Sequence, residues 1–65
     1  MRLADVPNNT RIKVLGNIQI APGSPPIHKG DILQFNNCDG IYSYCINEDN
    51  ERVHLAGWTE VEIIT

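Results

Sequence analysis

Cys38, Cys45, His28 and His54 are the side chains of this 65-residue chain best suited to hold a metal or to act as nucleophile and base. Together they form a nominal zinc set. Their spacing argues against one, because strong zinc sites pair their ligands through short C-x-x-C or H-x-x-x-H knuckles. With Cys38 at a hairpin end and Cys45 about three residue pairs along, a rise of ~3.3 Å per residue leaves them roughly 10 Å apart. That is too far for a shared tetrahedral metal or a disulfide, so two free thiols are expected. Cys45 facing His54 across a sheet would imitate a nucleophile and its base. No oxyanion hole or third orienting group accompanies the pair, so a thiol packed on an imidazole is the expectation. Glu48, Asp49 and Glu51 have the chemistry of a calcium site, but three acids at a hairpin tip read as a solvated turn. Neither a Walker A motif nor a dinucleotide glycine fingerprint is present. The chain therefore reads as a non-enzyme with no metal and no cofactor.

Length and charge narrow the function classes further. A 65-residue chain is one domain of marginal stability, which oligomer formation would help. Its 42% hydrophobic and 20% charged content is ordinary for a folded protein, not a disordered one. No apolar run approaches the ~20 residues that cross a bilayer, and Met1-Arg2-Leu3-Ala4-Asp5 is unlike a signal peptide. The default expectation is a cytoplasmic protein with no membrane partner. A net charge of −3 disfavours a dedicated nucleic-acid binder. The average hides an asymmetry: residues 1–30 carry Arg2, Arg11, Lys13 and Lys29 against Asp5, whereas residues 31–65 carry seven acids against Arg52.

The elements that must position these residues are β-strands. Residues 1–10 are irregular and end in the turn-forming cluster Val6-Pro7-Asn8-Asn9-Thr10. Arg11-Ile12-Lys13-Val14-Leu15 alternates polar and apolar residues, the mark of a strand with one buried face. Gly16-Asn17 interrupts it before Ile18-Gln19-Ile20, which suggests a bent or bulged strand in preference to a hairpin. Residues 21–30 hold three prolines and two glycines and must form a loop. Pro22-Gly23-Ser24-Pro25 matches P-x-x-P, although rigidity of the loop explains those prolines without a ligand role.

From Lys29 to Ile64 three β-type runs are separated by two turn signals. Asp39-Gly40 is expected to form a two-residue type I′ turn, which sets Asn36 opposite Ser43, Phe35 opposite Tyr44 and Leu33 opposite Ile46. A two- or four-residue loop within Glu48-Asp49-Asn50-Glu51 then sets Ile46 opposite Val53, Cys45 opposite His54 and Ile41 opposite Trp58. One face, carrying Leu33, Phe35, Tyr44, Ile46, Val53 and Leu55, becomes the predicted core. The other carries Gln34, Asn36, Cys38, Ile41, Ser43, Cys45, His54, Ala56 and Trp58. Gly57 permits a bend into a last short strand with Val61 and Ile63 inward. About five antiparallel strands without a helix pattern predict an all-β, closed or partly open barrel.

The order of features resembles the SH3-like barrel group: a first strand Arg11 to Leu15, a long Pro/Gly loop, Lys29-Gly30-Asp31 opening a meander, and a closing Trp58-Thr59-Glu60-Val61-Glu62. The pattern Lys29-Gly30-Asp31, Asp39-Gly40-Ile41-Tyr42, Val53 to Leu55 and Trp58 to Glu62 is similar to short uncharacterised bacteriophage and prophage proteins. The resemblance covers roughly the last 36 residues and implies a compact accessory protein that works by binding, in the host cytoplasm if viral. The leading expectation is a protein-interaction module, a modulator or inhibitor of a host or phage protein, docking through Trp58, Ile41, Tyr42, His54 and Asn36. Its acidic meander would favour a basic partner. Trp58 instead filling the barrel end against Pro25-Pro26-Ile27 is the plainer alternative. A second reading is an oligomer that binds a small anionic, nucleotide-like ligand through Arg11, Lys13 or Arg52 with Tyr42. A third is an RNA-binding barrel that uses the basic first strand.

Overall fold

Alternation and turn chemistry produce an all-β chain of five antiparallel strands in one sheet. They are β1 (Thr10–Gly16), β2 (Ile32–Asp39), β3 (Tyr42–Ile46), β4 (Arg52–Val53) and β5 (Glu60–Ile63), in the order β4-β3-β2-β1-β5. A computed structural model describes residues 1–64; position 65, the end of the expected domain, lies outside the described residues. The only helical element described is a 3-10 turn at Leu3–Asp5. No helix among the described residues is long and apolar enough to cross a membrane.

The first strand bends and does not double back. Its pairing with β5 shifts register between Val14 and Gly16, and Asn17 takes a left-handed φ of 53°. Beyond the bend, Ile20 bridges Leu55 and the Ala56 N–H donates to the Gln19 carbonyl at 2.8 Å. One continuous segment thus pairs with β2 and β5 at one end and covers the chain after β4 at the other. The outer edge of β5 is covered too, since the Leu3 N–H reaches the Thr59 carbonyl and the Val61 N–H reaches the Met1 carbonyl. Covered edges leave few free ladder groups for another chain to pair with. This arrangement is consistent with an SH3-like barrel.

The core is built from Leu3, Val6, Ile12, Val14, Ile27, Leu33, Phe35, Cys45, Val53, Leu55 and Val61. Leu33, Phe35, Val53, Leu55 and Val61 lie inside as the alternation predicts. Ile63 sits opposite buried Ile12 but remains 38% exposed at the end of the edge strand. Tyr44 and Ile46 do not belong to the core: Tyr44 is exposed and Ile46 only half-buried, while Ser43, Cys45 and Ala56 are buried in place of the expected outward positions. Cys38 likewise packs against the core.

The two turns explain this reversal. The first hairpin turns through Gly40-Ile41, not Asp39-Gly40: Asp39 pairs with Tyr42, Cys38 with Ser43 and Asn37 with Tyr44. Gly40 has φ 79° and Ile41 is not left-handed, the pattern of a type II′ turn with glycine first. A bulge at Asn36 then restores Phe35 and Leu33 to the inside, with Phe35 opposite Cys45 and Gln34 opposite Ile46. In the second hairpin the Asn50 N–H donates to the Asn47 carbonyl at 3.0 Å, and Asn50 adopts φ 63°. A type I turn followed by a left-handed residue makes an odd, three-residue loop. Asn47 Oδ1 pins it by accepting from the Asp49 and Glu51 N–H groups at 3.0 and 2.8 Å. The odd loop moves Val53 from Ile46 to Cys45, and a one-residue slip turns every side chain of the strand over.

Candidate functional site

The outward side of β3 presents Tyr42, Tyr44 and Ile46 at period two. Beside them on β2 are Asp39, Asn37 and Gln34, and on β4 Arg52. Tyr44 is 47% exposed and Ile41, at the turn, 62%. Apolar and aromatic side chains are thus gathered on the water-facing side of a small sheet.

His54 completes this face because two hydrogen bonds with the turn at residues 21–24 hold its backbone. Pro22-Gly23 forms a turn in which the Ser24 N–H donates to the Ala21 carbonyl at 3.1 Å, with Gly23 at φ 89° as a type II turn requires. Ser24 Oγ then accepts the His54 N–H at 3.3 Å, and the Ala21 N–H donates to the His54 carbonyl at 2.9 Å. The P-x-x-P stretch thus serves as a clamp on His54. His54 Nδ1 lies 3.1 Å from the Ser43 carbonyl, which fixes the ring. The ring meets Tyr44 edge to face, with centroids 5.1 Å apart.

Tyr44 and His54 form a ridge between two hollows. One, of about 250 Å³, is lined by Asn36, Tyr44, Cys45, Ile46, Arg52 and His54. The other, shallower, is lined by Ala21, Asp39, Ile41 and Tyr42 along with the same ridge. Each hollow has one charged side chain, Arg52 in the first and Asp39 in the second.

Beneath the ridge the chemistry is closed off. Ser43 is fully buried, and its Oγ donates to the Leu55 carbonyl at 2.9 Å and lies 3.4 Å from Cys45 Sγ. Burial pushes the Cys45 thiol up to about 11, against a lowering contribution from Ser43 and a further small rise from Cys38. Cys45 faces Val53 and not His54, so the cross-strand dyad geometry is absent. Both cysteines are free thiols, and among the described residues no group of three or more His, Cys, Asp and Glu side chains is gathered to hold a metal.

Of the residues singled out from sequence, Ile41, Tyr42, His54 and Asn36 are brought together around this ridge. Trp58 is not among the residues lining the two hollows. It is the third residue of a turn closed by the Thr59 N–H on the Ala56 carbonyl, and that position leaves it 50% exposed, not packed in the barrel end. Gly57 before it is needed for close approach: a Cβ there would lie 3.2 Å from the Ala4 Cβ. The Gly57 N–H bonds the Ile41 carbonyl at 2.9 Å, so Trp58 flanks the Ile41 turn. Arg11, Lys13 and Arg52 do not converge within one chain. Arg11 pairs with Gln34, Gln34 with Ile46 and Ile46 with Arg52, so strand spacings of ~4.8 Å place the two arginines about 14 Å apart. Lys13 lies between Ile32 and Glu62.

The alternation missed Tyr44 and Ile46 as outward residues, and it placed Asp39 in the turn and not beside Tyr42. Asn47 and Asn50, spaced as the first and last residues of a type I turn with asparagine at the left-handed position, were the signal for the odd loop. Apart from Asp39, the acids of the meander are elsewhere: Asp31, Glu48, Asp49 and Glu51 border a separate hollow under Pro25 and Pro26. The acidic charge of the meander therefore lies mostly at that hollow and not on the β3 face. Comparison with known proteins adds no name to this geometry: no family model, curated protein or solved structure matches the chain. The SH3-like and phage resemblance rests on the sequence features alone.

Proposed function

We propose that the chain is a non-enzymatic protein-interaction module that docks through the outer side of β3, acting by occupying a surface, as a modulator or inhibitor does. The observation that carries this reading is the inversion of β3, which holds Tyr42, Tyr44 and Ile46 toward solvent and Ser43 and Cys45 inside. Large stiff aromatic side chains next to shallow hollows are how interfaces concentrate binding energy, with hot-spot truncations costing ≥ ~2 kcal/mol. The better enclosed of the two hollows, about 250 Å³, suits an inserted side chain, and the other is broad and shallow at about 430 Å³. The catalytic alternative lacks an activated group, since the one thiol near the face is buried and its ionisation suppressed.

A photo-crosslinking amino acid placed at Tyr44 in expressing cells tests the proposal, with the exposed position Pro7 as control. Protein adducts at position 44 and none at position 7 are expected. Equal labelling at both positions, or none at either, would remove the reading.

A further inference from the structure

Asp39 and Arg52 sit at diagonally opposite corners of the β3 face. Asp39 pairs with Tyr42 on the β2 side, and Arg52 pairs with Ile46 on the β4 side. The four residues from Tyr42 to Ile46 put these corners about 13 Å apart along the strand. Both are exposed, and neither belongs to an ion pair among the described residues, where the pairs are Met1 with Glu60 and Arg2 with Asp5. Tyr44 lies midway between them.

A surface of this kind complements itself. A two-fold axis lying in the plane of the face, over Tyr44 and perpendicular to the line from Asp39 to Arg52, brings Asp39 of one copy onto Arg52 of the other, and the reverse. The same operation brings the two Tyr44 rings together near the axis. Building on the protein-docking reading above, we infer that the occupant of this face is a second copy of the chain, in an isologous dimer held by two reciprocal Asp39–Arg52 pairs around an aromatic centre.

Three further observations favour a second copy over a foreign protein. The charges on the face are one of each sign, placed where a two-fold exchanges them, whereas a one-signed patch would suit an oppositely charged partner. A standard interface takes about 800 Å² per partner. That is about a fifth of this chain's 4007 Å² surface. A 65-residue domain also buries only ~60% of its unfolded surface alone, so covering Tyr44, Ile41 and Ile46 adds the stability that such small domains lack.

Light scattering after size exclusion, with sedimentation over a concentration series, tests the dimer on the full chain. The wild type is expected to run as a dimer. Asp39→Arg gives a face with two cationic corners and Arg52→Asp one with two anionic corners. Each variant, with circular dichroism unchanged, is expected to be monomeric, with self-association weakened at least tenfold. An equimolar mixture of the two is expected to recover dimers, read by native mass spectrometry as the mixed species. A monomeric wild type, single variants that dimerise as the wild type does, or a mixture that stays monomeric each overturns the inference. A monomeric wild type whose position 44 crosslinks in cells to a different protein overturns the second copy and leaves protein docking intact; a monomer with no crosslink ends both.

Discussion

The two sides of β3 make opposite use of the same five residues. Inward, Ser43 and Cys45 are small, and the serine hydroxyl spends its bond on the Leu55 carbonyl. Outward, Tyr42, Tyr44 and Ile46 carry most of the strand's apolar area toward water. Burial alone would have chosen the reverse, because each large side chain gains about 1.5–3 kcal/mol on leaving water. The interior has no room for that choice. Phe35, Leu33, Ile12, Val53 and Leu55 already fill it, and small barrels match large residues on some strands with small ones on others. The large residues of β3 are therefore left on the solvent side.

Forcing a large residue onto the inner side breaks the comparison most severely. Ser43→Leu overfills the barrel and removes the bond to Leu55, and a loss of about 2–4 kcal/mol is expected. At 4–8 °C per kcal/mol for a domain of this size, thermal melting should fall by roughly 10 °C or more. A melting temperature within a few degrees of wild type would show that the inner side is not tightly filled.

The inner side also carries a pH signature. The Cys45 thiol is raised from 9.0 to about 11 in the folded chain, so between those values the unfolded state has released a proton that the folded state keeps. The unfolded state binds fewer protons there, so stability falls as pH rises from about 9 to about 11, by up to about 2–3 kcal/mol. Urea titrations across that range should show the decline, and Cys45→Ala should flatten its cysteine contribution. An equal slope in both proteins would contradict the burial.

Thr59 sharpens the contrast with Ser43. It is fully buried, and its Oγ1 has no hydrogen-bond partner among the described residues. Replacing such a hydroxyl by a methyl removes a desolvation cost, so Thr59→Val should leave stability unchanged or raise it by about 1 kcal/mol. The equivalent change at Ser43 should destabilise, and the two denaturation midpoints moving together would refute the distinction. On the outer side, Tyr44→Ser should change monomer stability least, within about 0.5–1 kcal/mol, while self-association is lost in light scattering.

Much of the fold is legible in the residues. Pro22, Pro25 and Pro26 exclude a strand from residues 21–30, and Gly16-Asn17 marks the bend of β1. Leu33, Phe35, Val53, Leu55 and Val61 read correctly as interior. The candidate site was legible in part: Ile41, Tyr42, His54 and Asn36 surround the ridge, but Tyr44 at its centre reads as core. The error enters at the turns. Asp39-Gly40 and Gly40-Ile41 are both acceptable hairpin turns for the same glycine, and a two- or three-residue second loop depends on Asn50 adopting a left-handed backbone. Each choice costs little locally, yet each moves the pairing by one residue.

The sequence by itself determines the strands, the loops and the apolar sets on β2 and β4, because alternation and proline or glycine chemistry act within a few residues. Only the tertiary structure decides which side of β3 faces inward. A period of two gives either side an equal claim, and the decision falls to the bulge at Asn36, the two turns and the limited volume of the barrel. The same decision creates the face on which Asp39, Tyr44 and Arg52 are aligned, and the Asn47 and Asn50 signal encodes only the β4 side of that alignment.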